Sequence, residues 1–393
     1  MKTIFTMHFT RVVFLVFVLF FILSCKKEQN NSSSRQTDDC LDQRKKTNIV
    51  GDQYIIAYKA SSLDARSQST EEISRASADV LQRNNISSAE VIRAFRGEPG
   101  GFIAHLSPAE VERLRNDENV ETIEHDRIVA LSTCFTVAAP TLVTWNVKRV
   151  GYGDGTGKTA WIIDTGIDFT HPDLTVDKSR SKSFLEGDSS ANDENGHGTH
   201  VAGIIGAKNN TFGVLGVASG ADLVSLRVLD KDGNGLLSGI IEALGYVNTN
   251  AQPGDVVNMS LGADSISNIL DEQVQNTAAR GVYIAIAAGN DSKPARDFSP
   301  GRANGPNIFT VSAVDSLDNF AHFSDYGNDV VDFAAPGVRI LSTYVGGRYA
   351  YMSGTSMAAP HVAGLLLLEG KNINSSGTAK NDPDGTPDPI AHY

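Results

Sequence analysis

The chain has 393 residues, of which 41% are hydrophobic and 20% are charged, so it is long enough for two folded domains. The formal net charge is −12, and no basic run offsets it. An acidic balance of this kind argues against a nucleic-acid partner.

The first 25 residues are typical of an export signal. Lys2 and Arg11 precede an apolar run over 12–23, which is too short to span a bilayer but suits the core of a signal peptide. The run ends in Ile22-Leu23-Ser24-Cys25, which resembles the bacterial lipobox, whose cysteine is lipidated and becomes the new N-terminus. An ordinary signal peptide cut nearby is the alternative. Either way we expect export, as a cell-envelope lipoprotein anchored only through Cys25 or as a secreted protein.

Residues 26–50 are polar and predict a flexible linker between the anchor and the first folded region. Two cysteines remain besides Cys25, namely Cys40 and Cys134. They could pair in an oxidising compartment, or both could be free thiols.

Residues 51–131 predict a small domain with the element order βαββαβ, which is a ferredoxin-like α+β sandwich. The second helix has a clear start, because Ser107 and Glu110 form a capping-box pattern around Pro108. The predicted elements are strands at 52–59, 90–95, 101–106 and 119–124, with helices at 71–83 and 108–115.

Residues 132–372 predict a larger α/β domain, because apolar strands alternate with helices, as in a doubly wound parallel sheet. We expect strands at 159–163, 221–229, 255–261, 281–288 and 308–314, and helices at 236–250, 267–280 and from 356 onward. Residues 373–393 are polar and contain several prolines, so we expect an irregular C-terminal tail.

Four polar residues lie where ligand sites occur in such folds, at the carboxyl ends of strands or at helix starts. Asp164 ends the first strand, and Asn290 follows the strand that closes with Ala287-Ala288-Gly289. His197 opens a helix in Asn195-Gly196-His197-Gly198-Thr199-His200. Ser356 opens another in Ser353-Gly354-Thr355-Ser356-Met357-Ala358-Ala359-Pro360.

This order of aspartate, histidine and serine, with these flanking residues, resembles the subtilisin-like serine peptidases from about Trp145 to Glu369. The resemblance implies that Ser356 attacks a peptide carbonyl and that His197 takes its proton. It also implies that Asp164 steadies the histidine and that Asn290 donates to the oxyanion. The implied activity is that of a serine endopeptidase acting on proteins or peptides through an acyl-enzyme.

The small domain resembles the inhibitory prosegment of the same family. The resemblance implies a self-processing zymogen, with the prosegment as an intramolecular inhibitor and cleavage somewhere between Val129 and Val143. We also expect a monomer. The alternative is a surface-binding lipoprotein on a catalytically inactive peptidase scaffold, against which the intact triad and Asn290 argue.

Two further segments resemble the family's substrate-binding strands. Gly233-Asn234-Gly235 corresponds to a strand that pairs with extended substrate, and glycine there leaves room for a peptide backbone. Ser260-Leu261-Gly262 corresponds to a wall of the primary specificity pocket. Because neither this wall nor 287–289 carries a charge, we expect a preference for apolar or aromatic side chains before the scissile bond.

A calcium site is also implied by the resemblance, whereas no organic cofactor is expected. The ligands would be the carboxylate of Asp173, the side chain of Asn210 and the backbone carbonyls of Lys208, Phe212 and Val214; hard oxygen donors suit Ca²⁺. A glycine-containing turn without an ion is the alternative. A zinc pair of His197 and His200 is disfavoured, because no His-Glu-x-x-His motif and no third ligand accompany them.

Overall fold

A computed structural model of the chain describes residues 49–59, 70–97, 99–130, 134–137, 142–263 and 265–393. These residues all fall in one compact unit that spans Arg44–Tyr393. The predictions for the signal segment, for the lipobox cysteine Cys25 and for Cys40 lie outside the described residues. Within those residues, none of the helices has the length and apolar character that a membrane span requires.

The first domain has the predicted order βαββαβ. Its elements are β1 (Ile49–Tyr58), α1 (Thr70–Arg83), β2 (Val91–Phe95), β3 (Gly101–His105), α2 (Pro108–Leu114) and β4 (Val120–Ala130), with a 3₁₀ turn at Ser88–Glu90. The capping box is present, since the backbone N–H of Ser107 donates to Glu110 Oε2 at 2.7 Å.

The four strands of this domain pair antiparallel in the order β4-β1-β3-β2. Side chains alternate across the sheet, as the pleat requires. Tyr54 and Ile56 pack with the helices of their own domain, whereas Ile55 and Ile103 join a core that also contains Ile240. The second face of the small sheet therefore rests on the larger domain.

The larger domain contains the predicted parallel sheet. Its nine strands run in the order β18-β19-β15-β14-β13-β12-β7-β10-β8, and all neighbours are parallel except β18 and β19. The strands of this sheet are β7 (Thr159–Asp164), β8 (Lys182–Ser183), β10 (Asp222–Arg227), β12 (Val256–Met259), β13 (Tyr283–Ala287), β14 (Ile308–Val314), β15 (Val331–Pro336), β18 (Asn374–Thr378) and β19 (Pro389–His392).

Short strands outside this sheet complete the domain. They are β5 (Cys134–Val137), β6 (Gly153–Asp154), β9 (Ala218–Ser219), β11 (Asn234–Leu236), β16 (Ile340–Tyr344) and β17 (Arg348–Ser353). The helices are α3 (Trp145–Val150), α4 (His197–Gly206), α5 (Leu237–Asn250), α6 (Asn268–Ala279) and α7 (Thr355–Glu369), with a 3₁₀ turn at Ala295–Asp297. The prediction of a doubly wound α/β fold preceded by an α+β domain is confirmed.

The prediction of an irregular C-terminal tail was wrong. β19 extends the main sheet beside β15, and β18 pairs with β19 at the edge. Ile390 and Ala391 are fully buried there, so two apolar residues between prolines and polar residues suffice to anchor the strand. No helix follows Glu369 in the described part of the tail.

Candidate active site

Asp164 and His197 come together at the carboxyl end of the central strand β7. Asp164 is the last residue of β7, and His197 is the first residue of α4. The Nδ1 atom of His197 lies 2.8 Å from Asp164 Oδ1 and 2.9 Å from Oδ2, and both side chains are fully buried. An imidazole held this way donates Nδ1–H to the carboxylate, which leaves Nε2 to accept a proton.

A buried aspartate that sequence reasoning missed fixes this geometry. Asp193 accepts the hydroxyl of Thr165 at 3.0 Å and the backbone N–H of Gly196 at 2.9 Å through Oδ1. Its Oδ2 accepts the N–H of Thr199 at 2.9 Å and the Thr199 hydroxyl at 2.6 Å. Thr165 follows Asp164, and the other two residues flank His197, so one carboxylate ties both segments together. The sequence around Asp193 contains no pattern that indicates contacts with residues distant along the chain, so this role of Asp193 could not be predicted.

Ser356 lies in the first turn of α7 and is 4% exposed. Its hydroxyl donates to the backbone carbonyl of Ser260 at 3.1 Å, and the Ser260 hydroxyl donates to the Ser356 carbonyl at 2.8 Å. His197 Nε2 is buried without a hydrogen-bond partner among the described residues. Ser356 and His197 are therefore not hydrogen-bonded to each other in this structure. A rotation of the Ser356 side chain about χ1 would redirect its hydroxyl.

Asn290 is anchored to the helix that carries Ser356. Its Oδ1 accepts the backbone N–H of Thr355 at 2.8 Å and the Thr355 hydroxyl at 3.1 Å. The same hydroxyl contacts the backbone of Gly289, with both the N–H and the carbonyl at 3.2 Å. Because Oδ1 accepts from Thr355, Nδ2 is the side of the amide that can donate to substrate.

The neighbouring histidines have structural partners. His200 Nε2 lies 3.0 Å from the backbone carbonyls of Ile340 and Ala350, and burial lowers the pKa of His200 to about 3. His361 bridges Met357 and Asn146 at 2.8 Å each, and burial lowers the pKa of His361 to about 4. Both imidazoles are therefore neutral near pH 7, and each forms hydrogen bonds that join segments around Ser356.

The predicted substrate strand already has a strand paired to it. Asn234 pairs antiparallel with Ala130, and Gly235 pairs with Val129, so β4 of the first domain extends β11. Gly235 has no room for a side chain, since a Cβ there would lie 2.1 Å from the Val228 carbonyl oxygen. Gly233 precedes β11 with a φ of +79°, which favours glycine.

The next described segment, β5, pairs with β17 immediately before Ser356. Cys134 is opposite Ser353, and Val137 is opposite Ala350. The predicted pocket wall lies just after β12, where Ser260 and Leu261 are buried. The end of β4 therefore pairs with β11, and β5 pairs with β17. The three residues between β4 and β5, 131–133, lie outside the described residues.

Two of the predicted calcium ligands, Asp173 and Asn210, contact each other where the loop 208–214 packs on Asp173. Asp173 is fully buried, its Oδ1 accepts Asn210 Nδ2 at 2.6 Å, and its Oδ2 accepts the N–H of Val214 at 3.0 Å. A Cβ at Gly213 would lie 2.1 Å from Asp173 Oδ2, so the loop closes tightly on the carboxylate. The donor types fit Ca²⁺, provided that the Asn210 amide turns over to offer Oδ1. The Lys208 ammonium donates a hydrogen bond to the Pro172 carbonyl at 3.0 Å.

Comparison with known proteins agrees with this geometry. The Subtilase family profile matches residues 155–379, and the Peptidase inhibitor I9 profile matches residues 53–132. Alkaline serine exoprotease A of Vibrio alginolyticus is 37% identical over 345 residues, which cover 83% of this chain and 62% of that protein. Alkaline serine protease ver112 of Corniculantispora psalliotae is 39% identical over 303 residues, which cover 72% of this chain and 75% of that protein.

A crystal structure of a cold adapted subtilisin-like serine proteinase superposes with a TM-score of 0.57 at 35% identity. The matched region covers 64% of this chain and 98% of the chain in that crystal structure. The chain therefore belongs to the subtilase family of serine endopeptidases and carries an I9-type inhibitory prosegment before its peptidase domain.

Proposed function

We propose that this chain is the zymogen of an exported serine endopeptidase that cuts itself between prosegment and enzyme. One observation carries the proposal. The chain pairs through Ala130 with β11, which is bridged to Leu229 beside Asp164, and through Cys134 with β17, which leads into the helix of Ser356. A peptidase substrate that adds as a strand on both sides of the nucleophile is bound in the orientation that cleavage requires.

The site of self-cleavage follows from these two anchors. β11 is bridged to Leu229, whose N–H donates to the Asp164 carbonyl at 3.2 Å, so this anchor lies on the aspartate side of the site. The four peptide bonds from Ala130 to Cys134 span at most about 14 Å. We infer that the scissile bond is one of these four, within the wider interval from Val129 to Val143 that the sequence suggests.

The residues have separate roles in the proposed reaction. Ser356 Oγ attacks the carbonyl carbon while His197 Nε2 takes the hydroxyl proton, and Asp164 stabilises the imidazolium through Nδ1–H. The oxyanion accepts hydrogen bonds from Asn290 Nδ2 and from the backbone N–H of Ser356. His197 then protonates the leaving amine, and water releases the acyl group by the reverse sequence.

The substrate before the scissile bond would extend along Gly233, Asn234 and Gly235 and along Ser260, Leu261 and Gly262. Leu261 is 5% exposed and the pocket walls carry no charge, which supports a preference for apolar or aromatic side chains. The new N-terminus created by cleavage would start in β5 or just before it. Protein and peptide substrates would then replace the prosegment in the cleft.

Export, lipid attachment at Cys25, a monomeric state and calcium are further parts of the proposal. The N-terminal signal pattern supports export, and the lipobox supports attachment. Calcium at Asp173 and Asn210, with the carbonyls of Lys208, Phe212 and Val214, would hold the loop after α4 and supply stability. It would take no part in the bond-breaking step.

The decisive experiment compares the wild-type chain with Ser356→Ala in a host without other proteases. We expect the wild type to yield separate prosegment and mature chains, with N-terminal sequencing that places the cut between Ala130 and Cys134. The Ser356→Ala chain should accumulate as an intact precursor. Normal processing of that variant would exclude self-cleavage. A wild-type chain that fails to label at Ser356 with a fluorophosphonate would favour the inactive, surface-binding alternative.

A further inference from the structure

Asp325 is a buried carboxylate that lies under the loop carrying Asn290. It lies in the connection between β14 and β15 and is 1% exposed. Its Oδ1 accepts the backbone N–H of Asp291 at 2.8 Å and that of Lys293 at 2.9 Å. Its own N–H donates to the Gly289 carbonyl at 3.0 Å. Asp325 therefore bonds the backbone on both sides of Asn290.

The two segments are joined at further points. The N–H of Ser292 donates to the Phe323 carbonyl, and the N–H of Tyr326 donates to the Lys293 carbonyl, each at 3.0 Å. Gly289 has a φ of +120°, and a Cβ there would lie 2.0 Å from Asp325 Oδ2. The loop therefore fits closely against this carboxylate, and its path is set by the contact.

The other side of Asn290 is held by the nucleophile's helix. Thr355, next to Ser356, orients the Asn290 amide through Oδ1. Thr355 can hold the Asn290 amide in a fixed position relative to Ser356 only if the backbone of the loop at Asn290 does not move. Asp325 holds that backbone in place through its hydrogen bonds. The contacts from Thr355 and from Asp325 together determine the direction in which Asn290 Nδ2 points.

The charge of Asp325 is part of this contact. The pKa of Asp325 is raised to about 7, mainly by burial and to a smaller extent by the charge of Asp291, while the backbone N–H donors and Lys293 oppose the rise. When ionised, the carboxylate makes charge-assisted hydrogen bonds to both N–H groups, which are stronger than neutral ones. An uncharged acceptor of the same shape would keep the geometry with weaker bonds.

We propose that Asp325 is a positioning residue for the oxyanion site, acting on the reaction through the loop that carries Asn290. The inference rests on the proposed peptidase function. It concerns a contact that is remote in sequence from the three triad segments. Oxyanion donors work only when they are preorganised, so a loop that shifts by a fraction of an ångström should lower turnover without changing substrate binding.

The test uses the mature enzyme and counts active sites by end-point labelling with a fluorophosphonate. Asp325→Ala should lower kcat per labelled site by about 10- to 100-fold, with KM within about twofold, since transition-state contacts alone are affected. Asp325→Asn, which keeps a side-chain oxygen for the two N–H groups, should recover most of that loss. Asp329→Asn, an exposed carboxylate in the same connection, is the matched control and should match the wild type.

A double-mutant cycle separates positioning from general damage. In an Asn290→Ala background, Asp325→Ala should change kcat by no more than about twofold, because the group it positions is already absent. An equal loss in both backgrounds would overturn the proposal, as would an unchanged kcat in the single variant. If Asp325→Ala does not fold, Asp325→Ser, whose shorter side chain cannot hold both N–H groups, takes its place in the same cycle. A wild type without labelling or activity would instead refute the proposed function.

Discussion

Asp126 in the last strand of the prosegment caps a helix of the peptidase domain through Ser238. The carboxylate of Asp126 is fully buried and accepts the backbone N–H of Ser238 at 3.2 Å and its hydroxyl at 2.5 Å. Helix α5 begins at Leu237, and its own N-cap residue Leu236 supplies no side-chain acceptor. The prosegment therefore provides the negative group that the first turn of α5 lacks.

Removal of this cap should destabilise the precursor. In a Ser356→Ala background, which prevents self-cleavage, we expect Asp126→Ala to lower the free energy of unfolding by about 2–3 kcal/mol. The reason is that Ser238 and Gln53, whose Nε2 donates to Asp126 Oδ2 at 2.6 Å, lose a buried acceptor. Urea unfolding measures the change. Asp79→Ala, at an exposed carboxylate on α1, is the control; an equal effect of both variants would contradict the role of the cap.

Glu124 makes the corresponding contact with α6 and predicts a pH dependence. Its Oε1 accepts the Ser267 hydroxyl at 2.5 Å and the Ile269 N–H at 3.1 Å, while burial raises the pKa of Glu124 from 4.5 to about 7. The bound prosegment therefore takes up a proton between these two values. It follows that its affinity for the enzyme falls as the pH rises from about 4.5 to about 7 and is constant above that.

The measurement uses the self-processed chain after fluorophosphonate treatment. Size-exclusion chromatography at pH values from 5 to 8 monitors how much of the prosegment has dissociated. Glu124→Gln should remove most of the pH dependence, because the buried group no longer titrates. Glu121→Gln, at an exposed position of the same strand, should retain it. A wild-type complex that is equally stable at pH 5 and pH 8 would rule out Glu124 as the titrating group.

The residues that sequence alone could identify are those whose signal is local. Asp164, His197, Asn290 and Ser356 each lie in a short segment with recognisable neighbours, and the alternation of strands with helices predicts the sheet that gathers them. The partners that hold these residues in place are remote in sequence. Ser260 and Ser356 exchange hydrogen bonds across 96 positions. Nothing near either serine indicates that pairing.

The C-terminal strand illustrates a second limit of sequence reasoning. Ile390 and Ala391 form too short an apolar run to predict a strand. Their register depends on β15, in which Ala334 is the residue that pairs with Ile390. The same holds for β5, a four-residue strand whose place in the fold depends on its pairing with β17. Tertiary context decides both elements.

Calcium removal tests the loop around Asp173. If Ca²⁺ binds there, chelation with EDTA should lower the Tm of the mature enzyme by several degrees, since a ligand that binds only the folded state stabilises it. Asp173→Asn should abolish the difference between chelated and calcium-loaded protein. Asp232→Asn changes an exposed carboxylate on another loop and should leave the difference intact. Identical melting of the wild type with and without EDTA would favour the ion-free turn.

A buried carboxyl near the C-terminus should limit stability at alkaline pH. Asp388 is 1% exposed, its Oδ2 accepts the Ser312 hydroxyl at 2.6 Å, and its Oδ1 has no hydrogen-bond partner among the described residues. Burial raises the pKa of Asp388 from 3.8 to about 7, with a further contribution from Asp382. A carboxyl with a raised pKa in the folded state favours folding most when protonated. Its contribution to stability is therefore lost as the pH rises from about 4 to about 7.

Replacement of Asp388 by Asn removes the charge and keeps an acceptor for Ser312. In the Ser356→Ala background we expect Asp388→Asn to raise the free energy of unfolding at pH 9 by on the order of 2 kcal/mol, and to change it little at pH 4, where the wild-type carboxyl is neutral. Urea unfolding at the two pH values gives the comparison, with the exposed Asp297→Asn as control. A variant less stable than the wild type at pH 9 would mean that the ionised carboxylate has a stabilising partner.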